Sequence, residues 1–187
     1  VASYENTKIH MNAISDGTLA VPFKDHTQYG QAFNVSNNLL PNTNYDLVYV
    51  NEGKTATDYP KGKTNYIAVV KLLNSYSTVS SIQFTAKAAG AKAIIMIPPS
   101  NWPDYVTLPV TGSATPTAST SKSIGQALLD KMSKMPTGQY LSMKNIGDYW
   151  VDNPDKDTMS YFSSMGTTPT LDFKPEISAP GGNIYST

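Results

Sequence analysis

One stretch decides the fold: Tyr66–Ile97, which reads YIAVVKLLNSYSTVSSIQFTAKAAGAKAIIMI. Its two ends, Tyr66–Val70 and Ala93–Ile97, are continuous apolar runs of a length typical of buried strands. Between them, residues 77–90 carry apolar side chains at helical spacing, with hydroxyl residues at the start and Gly90 at the end, which predicts a helix. A strand, a helix and a strand in this order predict a right-handed crossover between parallel neighbours.

Further strands and one more helix are predicted on both sides of this stretch. Apolar runs bounded by turn residues predict strands at Leu19–Phe23, Tyr45–Val50, Val106–Val110 and Tyr140–Asn145. A second helix is predicted at Ser121–Met132, which has an apolar stripe and a capping hydroxyl at its start. We therefore expect an α+β, β-rich fold, mostly strand and turn, with two short helices.

The amino-acid composition argues against several classes of protein and kinds of site. The chain has 187 residues, and its 14 basic residues, all lysine, balance 14 acidic ones. This balance and the lack of arginine argue against nucleic acid as a partner. The absence of cysteine excludes disulfides, thiolate metal sites and a cysteine nucleophile. The apolar runs are far shorter than the roughly 20 residues that span a bilayer, so no membrane insertion is expected. The abundance of Ser, Thr, Asn and Tyr with few Glu favours an extracellular location.

Two terminal segments resemble a known family of enzymes. Tyr161–Gly166 reads YFSSMG, and Phe173–Thr187 reads FKPEISAPGGNIYST. Together they resemble the part of subtilisin-like serine proteases that reads F-S-S-x-G and then K-P-[DE]-I-x-A-P-G-x-x-I-x-S, upstream of the nucleophile segment G-T-S-M-A-x-P. At the other end, Val1–Ser3 with Asn6 is similar to the V-A-S-x-x-N strand end that follows the oxyanion-hole asparagine of these enzymes.

The intervening region resembles the protease-associated (PA) domain. The matching segments are Tyr45–Val50 with Gly53, Lys61–Lys63 before Ile67–Val70, and Ala86–Ile95. They correspond to a strand ending in Gly, a G-K-I-x-L-V strand and a helix ending A-x-x-A-G-A-x-A-V-I. This module is commonly inserted in secreted subtilases between the oxyanion asparagine and the catalytic serine. The resemblance implies an open β-barrel or sandwich-like domain with two short helices.

The two resemblances together imply a division of the chain. Residues 1–19 would be one flank of the subtilase catalytic α/β domain, residues 20–146 the PA insert, and residues 147–187 a second flank that ends before the catalytic serine segment. One departure from the PA pattern lies at Lys71–Tyr76, where the family often has R-G-x-C-x-F. Any contact made by that arginine in the family is therefore missing here.

The resemblance implies peptide-bond hydrolysis by the parent enzyme, a secreted serine endopeptidase, but no catalytic residue in this chain. Neither His10 nor His26 lies in the family's H-G-T-x-V-A-G context, and Asp16–Thr18 has the wrong order for the aspartate motif. We expect the chain alone to be inactive, without cofactor or metal. Its implied roles are shaping access to the cleft, contacting protein or peptide substrates and the rest of the catalytic domain, and self-association. Its location would be extracellular, either secreted or associated with the cell envelope.

Other interpretations stay open at this point. The chain could be a stand-alone module that binds proteins or glycans and has no protease activity, or one product of internal cleavage still held to a catalytic partner. A G-T-S-M-A-x-P segment within about 15–40 residues after Thr187 would support the protease, whereas a stop codon there would support the module.

Three candidate sites follow from the residues. Trp102 and Tyr105 lie on a proline-stiffened loop and could form a partner-binding rim, or equally cover the insert's own core. Asn34 begins an Asn-Val-Ser glycosylation pattern, which has meaning only if a eukaryote secretes the protein. Asn153, Asp155 and the carboxylate two residues later, Asp157, take the first, third and fifth places of a calcium loop. An accidental acidic turn is favoured there, because Thr158 and Ser164 stand where Gly and Glu are required.

Overall fold

The computed structural model describes residues 2–5, 7–25, 34–73, 76–108, 114–153, 156, 166–167, 173–174 and 178–182. The strands in these ranges are β1 (Ala2–Glu5), β2 (Lys8–Ser15), β3 (Ala20–Phe23), β4 (Asn44–Tyr49), β5 (Tyr66–Lys71), β6 (Ala91–Ile97), β7 (Thr117–Ser119), β8 (Leu141–Asp152), β9 (Gly166–Thr167), β10 (Phe173–Lys174) and β11 (Ser178–Gly182). The helices are α1 (Val35–Asn38), α2 (Val79–Ala88) and α3 (Lys122–Met132), with short 3-10 helices at Ala56–Asp58 and Tyr76–Thr78.

The chain divides into two compact units. The larger unit is Asn12–Gly147, and the smaller combines Val1–Met11 with Asp148–Thr187. In the smaller unit, β1 and β11 pair in parallel and β9 pairs with β10 in antiparallel fashion. Lys8 Nζ lies 2.7 Å from an Asp152 carboxylate oxygen. Residues from the two ends of the sequence therefore pair with each other.

The larger unit is built on a mixed sheet whose strand order is β3-β2-β8-β4-β5-β6-β7. Strands β4, β5, β6 and β7 are parallel to one another, whereas β4 pairs with β8, and β2 with β3, in antiparallel fashion. The parallel β5–β6 pair with α2 between its strands is the β-α-β order that the sequence predicts.

Alternating side chains of the central strands enter two hydrophobic clusters. The first, here called the α2 cluster, contains buried Val48, Val50, Tyr59, Tyr66, Ala68, Val70, Leu72, Val79, Ile82, Ala86, Ile94, Met96, Val106 and Leu108. The second, here called the α3 cluster, contains buried Ile14, Val21, Phe23, Val35, Leu39, Tyr45, Leu47, Ile67, Val69, Ala93, Ile95, Ile97, Ala118, Leu128, Leu141 and Met143. The continuous apolar runs of β5 and β6 follow from this burial on both faces.

Local sequence explains the end of α2, the start of α3 and the close packing of α3 on the sheet. At the end of α2, Gly90 takes φ +81°, and its carbonyl accepts the Asn65 N–H at 3.0 Å. At the start of α3, Ser121 Oγ accepts the Ile124 N–H at 3.2 Å, which is an N-cap. A Cβ on Gly125 would lie 2.6 Å from Ile97 Cγ1, so the missing side chain lets α3 pack directly on β6.

Two buried tyrosines in the α2 cluster satisfy their hydroxyls on main-chain oxygens. Tyr59 donates to the Gly53 carbonyl at 2.9 Å, and Tyr66 donates to the Ala89 carbonyl at 3.2 Å. Burial raises the pKa of Tyr66 to about 12 and raises that of Tyr59 further. Both rings therefore act as neutral core residues.

The α+β, β-rich class is confirmed, with two differences in its elements. There are three α-helices in the described residues instead of two, because α1 is a single turn with no apolar period to announce it. The strand predicted at Val106–Val110 is wrong for residues 106–108, which are irregular. Tyr105 turns the backbone with φ +53°, and the Val106 carbonyl accepts the Ser119 hydroxyl instead of a strand partner. Val106 and Leu108 are nevertheless buried, so their apolar alternation reflects packing without strand pairing.

Candidate functional site

The aromatic loop is fixed against the start of α3. The Asp104 carboxylate accepts the Lys122 N–H at 2.8 Å and lies 3.2 Å from Lys122 Nζ, which also donates to the Trp102 carbonyl. Trp102 packs against the α2 cluster and is only half-buried, as is Tyr105. The structure thus places Trp102 at the border of the core with part of its surface accessible, and the partner-binding rim at Trp102 and Tyr105 stays a prediction.

A cleft of about 420 Å³ opens beside the C-terminal half of α3. Three groups of residues line it: the end of β4, the exposed turns of α3, and the segment that leads from α3 into β8. They are Leu47, Val48, Tyr49, Gln126, Leu129, Asp130, Met132, Ser133, Met135, Gln139, Tyr140 and Leu141. Its volume lies within the range of about 300–1,000 Å³ that is typical of ligand pockets.

Most of the cleft wall is apolar and belongs to the edge of the α3 cluster. Leu129, Met132 and Met135 are partly buried and pack against that cluster. Two rings remain accessible, with Tyr49 41% and Tyr140 38% exposed. Methionine side chains adapt to ligands of different shape, and tyrosine rings give contact area at low entropic cost. This combination suits a binding surface better than a sealed core.

One strand edge borders the cleft. The Val50 N–H donates to the Val69 carbonyl at 3.1 Å, and the Asn145 N–H donates to the Thr43 carbonyl at 2.9 Å. Because backbone groups of successive strand residues point to alternate sides, Thr43 and the odd-numbered residues after it face β8. The β4–β8 ladder ends at the Leu47–Leu141 pair. Tyr49 therefore directs its N–H and C=O towards the side of β4 on which β8 lies. Because β8 begins at Leu141, opposite Leu47, it does not reach as far as Tyr49.

Polar contacts hold the helix that forms one wall. The ammonium of Lys131 on α3 pairs with the Asp16 carboxylate, which also accepts the N–H groups of Thr18 at 3.0 Å and Leu19 at 2.9 Å. Burial would raise the pKa of Asp16, but the Lys131 ion pair and these N–H donors outweigh it and hold that pKa well below its usual range. The Gln126 amide donates to Asp130 at 2.8 Å one turn away.

In the smaller unit, His10 has a carboxylate partner that sequence spacing does not indicate. Its Nε2 lies 3.0 Å from Asp148 Oδ1, and its ring packs edge-to-face on Trp150 with centroids 4.9 Å apart. The side chain of Asp148 is 80% exposed. His26, the other histidine, lies outside the described residues.

The two remaining candidate sites are described only in part. Asn34 precedes α1 with its side-chain oxygen buried, and its carbonyl accepts the Asn38 amide at 2.8 Å. Asn153 is buried, and its N–H donates to the Thr7 carbonyl at 3.0 Å. Asp155 and Asp157 lie outside the described residues. Glycosylation at Asn34 and the calcium loop remain predictions.

The described residues contain neither a metal-binding cluster nor a membrane-spanning helix. Within the described ranges, no group of three or more His, Cys, Asp or Glu residues could hold a metal ion. No helix in that part of the chain is long and apolar enough to span a membrane.

Comparison with known proteins places the chain beside bacterial proteinases. It is 34% identical, over its whole length, to 10% of a PII-type proteinase of Lactococcus lactis subsp. cremoris. It is 36% identical, over 71% of its length, to 7% of a PII-type proteinase of Lacticaseibacillus paracasei. The chain thus spans about a tenth or less of these relatives. No protein-family model matches it.

Among solved structures, a zinc aminopeptidase from Bacillus subtilis superposes with a TM-score of 0.49 and 14% sequence identity. The superposition covers 84% of this chain and 34% of that one.

The cleft is the feature that sequence reasoning missed. Its lining comes from β4, α3 and the start of β8, which are far apart in the sequence. Met132 and Met135 pack against the α3 cluster, and no pattern in the sequence shows that the same side chains also border an opening. The available signal was the aromatic residue Tyr140 at the start of a predicted strand, and that signal is weak.

Proposed function

We propose that this chain is a noncatalytic region of a subtilisin-like serine endopeptidase that acts outside the cell. In this proposal the PA insert expected at residues 20–146 corresponds to the compact unit Asn12–Gly147, and the segments before and after it belong to the catalytic domain. The observation that carries the proposal is the similarity to proteinases along the whole chain, together with the K-P-E-I-x-A-P-G segment at Lys174–Gly181.

The topology supports an inserted unit. The larger unit begins within β2 and ends within β8, and these two strands are neighbours in the sheet. A unit whose two ends leave side by side can be placed in a host chain with little disturbance. The parallel pairing of β1 with β11 likewise suits two segments that belong to one catalytic sheet.

The role proposed for the insert is to contact protein substrates and to shape their access to the catalytic cleft. The accessible tyrosines and adaptable methionines beside α3 support this role. Short peptides, which need little contact away from the scissile bond, would depend on the insert far less than whole proteins do.

Deletion in the parent enzyme tests this role. We expect replacement of residues 12–147 by a short flexible linker to leave kcat/KM for a short chromogenic peptide within about threefold and to lower it for casein by roughly tenfold or more. A parallel loss on both substrates, with the enzyme still folded by circular dichroism, would contradict a substrate-contacting role. A matched control replaces only Lys61, exposed in a turn outside the cleft lining, by serine, which should change neither value.

A further inference from the structure

We propose that the cleft beside α3 binds an extended polypeptide segment, which pairs with the backbone of Tyr49 at the end of β4, beyond the start of β8, and inserts one large apolar side chain. This inference rests on the proposed function, because the segment would belong to a protein substrate. It assigns the contact to a surface other than the Trp102–Tyr105 loop.

The backbone of Tyr49 identifies the kind of ligand. Its N–H and C=O face the cleft side beyond the last β4–β8 pair, Leu47 with Leu141. One residue of an extended chain can offer a carbonyl and an N–H at the matching spacing, as in strand addition at other sheet edges. A small apolar ligand would fill the space without satisfying both groups. The edge therefore selects a polypeptide.

The face of the sheet fixes where the ligand's side chain goes. Leu47 points into the α3 cluster, and Tyr49, two residues later, lies on the same face. Directly opposed residues of paired strands place their side chains on one face. The peptide residue opposite Tyr49 would thus direct its side chain towards α3, where Leu129 and Met132 form the wall.

The size and polarity of the cleft favour a large apolar side chain at this position. The available volume is about 420 Å³, and its wall is the partly buried edge of a hydrophobic cluster. The rings of Tyr49 and Tyr140 stand at the rim, where they can cover an inserted side chain. Phenylalanine or leucine would bury most of its surface there, whereas alanine would leave the wall in water.

Three matched peptides test the proposal on the 187-residue chain. The probes are acetyl-Thr-Thr-Thr-X-amide, which end at X because Leu141 already occupies the position opposite Leu47. X is phenylalanine, alanine or N-methylphenylalanine, and backbone amide resonances are recorded during the titration. We expect the phenylalanine peptide to bind at least roughly tenfold more tightly than the alanine peptide, because alanine leaves the apolar wall exposed. The N-methylated peptide should bind at least roughly fivefold less tightly, because it cannot donate to the Tyr49 carbonyl. The largest shifts should fall at Tyr49 and along residues 129–135.

Two variants complete the test. Met132→Glu puts a charge on the apolar wall and should weaken the phenylalanine peptide about tenfold or more. Lys92→Glu, a larger charge change at an exposed residue of β6 outside the lining, should not. The N-methyl comparison uses the unaltered chain, so it stands even if Met132→Glu fails to fold.

Four outcomes would overturn the inference: equal binding of all three peptides, shifts centred on Trp102 and Tyr105, binding unchanged in a folded Met132→Glu variant, or a dimer in solution that Met132→Glu dissociates. The last would make a second copy of the chain the occupant. None of these results bears on whether the parent is a serine protease, which is tested by active-site labelling.

Discussion

The two faces of the central strands differ in how completely they are covered. On one face α2 closes over the strands, and Tyr66, Ile82 and Ile94 are fully buried. On the other face α3 ends at Met132, and the cluster beneath it opens into the cleft at Leu47. The same strands thus supply a sealed core on one side and an accessible apolar wall on the other. Under the binding role proposed for the cleft, the sheet separates stability from recognition, and substitutions on either face should show this difference.

The largest expected effects come from emptying each cluster by the same number of atoms. Ile82→Ala and Leu128→Ala both remove fully buried side chains, and each should lower the free energy of unfolding by about 2–5 kcal/mol. Leu128→Ala should cost less, because the wall beside the cleft can relax into the space left. Urea denaturation measures both losses. The control is Phe84→Ala, which changes a half-exposed side chain and should lower the free energy of unfolding by less than about 1 kcal/mol. A greater loss for Leu128→Ala would reverse the proposed contrast.

The next effect tests how α3 sits on the sheet. Gly125→Ala would place a Cβ 2.6 Å from Ile97 Cγ1 and 2.7 Å from Cγ2, so it should lower stability by about 1–3 kcal/mol. Ile97→Ala removes the opposing atoms, and its cost should be smaller in the Gly125→Ala background than alone. Additive losses in the double-mutant cycle would show that α3 does not rest on β6 at this point.

A glycine pair tests how α2 sits on the opposite face. Gly17 and Gly90 have similar positive φ values, +88° and +81°, so alanine meets the same backbone strain at both. A Cβ at Gly90 would also meet Thr64 Cγ2 at 2.9 Å and the Lys63 carbonyl at 3.2 Å, whereas at Gly17 nothing lies within 4 Å. We expect Gly90→Ala to cost about 1 kcal/mol more than Gly17→Ala in thermal or urea unfolding. Equal losses for Gly90→Ala and Gly17→Ala would show that backbone strain at positive φ explains both, with no added clash at Gly90.

The smallest effect concerns pH and the ion pair that anchors α3. The pKa of Asp16 is lower in the folded chain than in the unfolded chain, so its contribution is present above about pH 4 and is lost as pH falls further. Asp16→Asn should lower stability by about 1 kcal/mol at pH 7 and by progressively less below pH 4. Urea unfolding at pH 3 to 7 measures this. A difference that stays constant across that range would rule out the ionised Asp16 as its source.

Local patterns in the sequence were sufficient for part of this architecture. The β5-α2-β6 unit and the capped α3 follow from apolar spacing, Ser121 and Gly90, all of which act within a few residues. β7 was missed because Thr117–Ser119 lacks an apolar pattern and is buried by its neighbours. Short-range signals therefore predicted individual elements better than they predicted strand neighbours.

Contacts between distant residues explain what the sequence did not reveal about sites. The partner of His10 lies 138 residues away, and the cleft joins the end of β4 to α3 and β8. The aromatic loop at Trp102 drew attention because its rings are close in sequence, yet Trp102 packs on the α2 cluster. Proximity in sequence could point to that loop but not to Tyr49, whose place at the proposed binding site depends on where β8 begins.

Active-site labelling tests the proposed division of labour between this chain and the remainder of its parent most directly. The proposed full-length parent and the 187-residue chain are each treated with a fluorophosphonate probe, and the labelled peptide is mapped by mass spectrometry. We expect one labelled serine in the full-length protein, outside the segment that corresponds to residues 1–187, and no label on the chain alone. A covalent adduct on any serine of the isolated chain, with casein cleavage to match, would contradict the account.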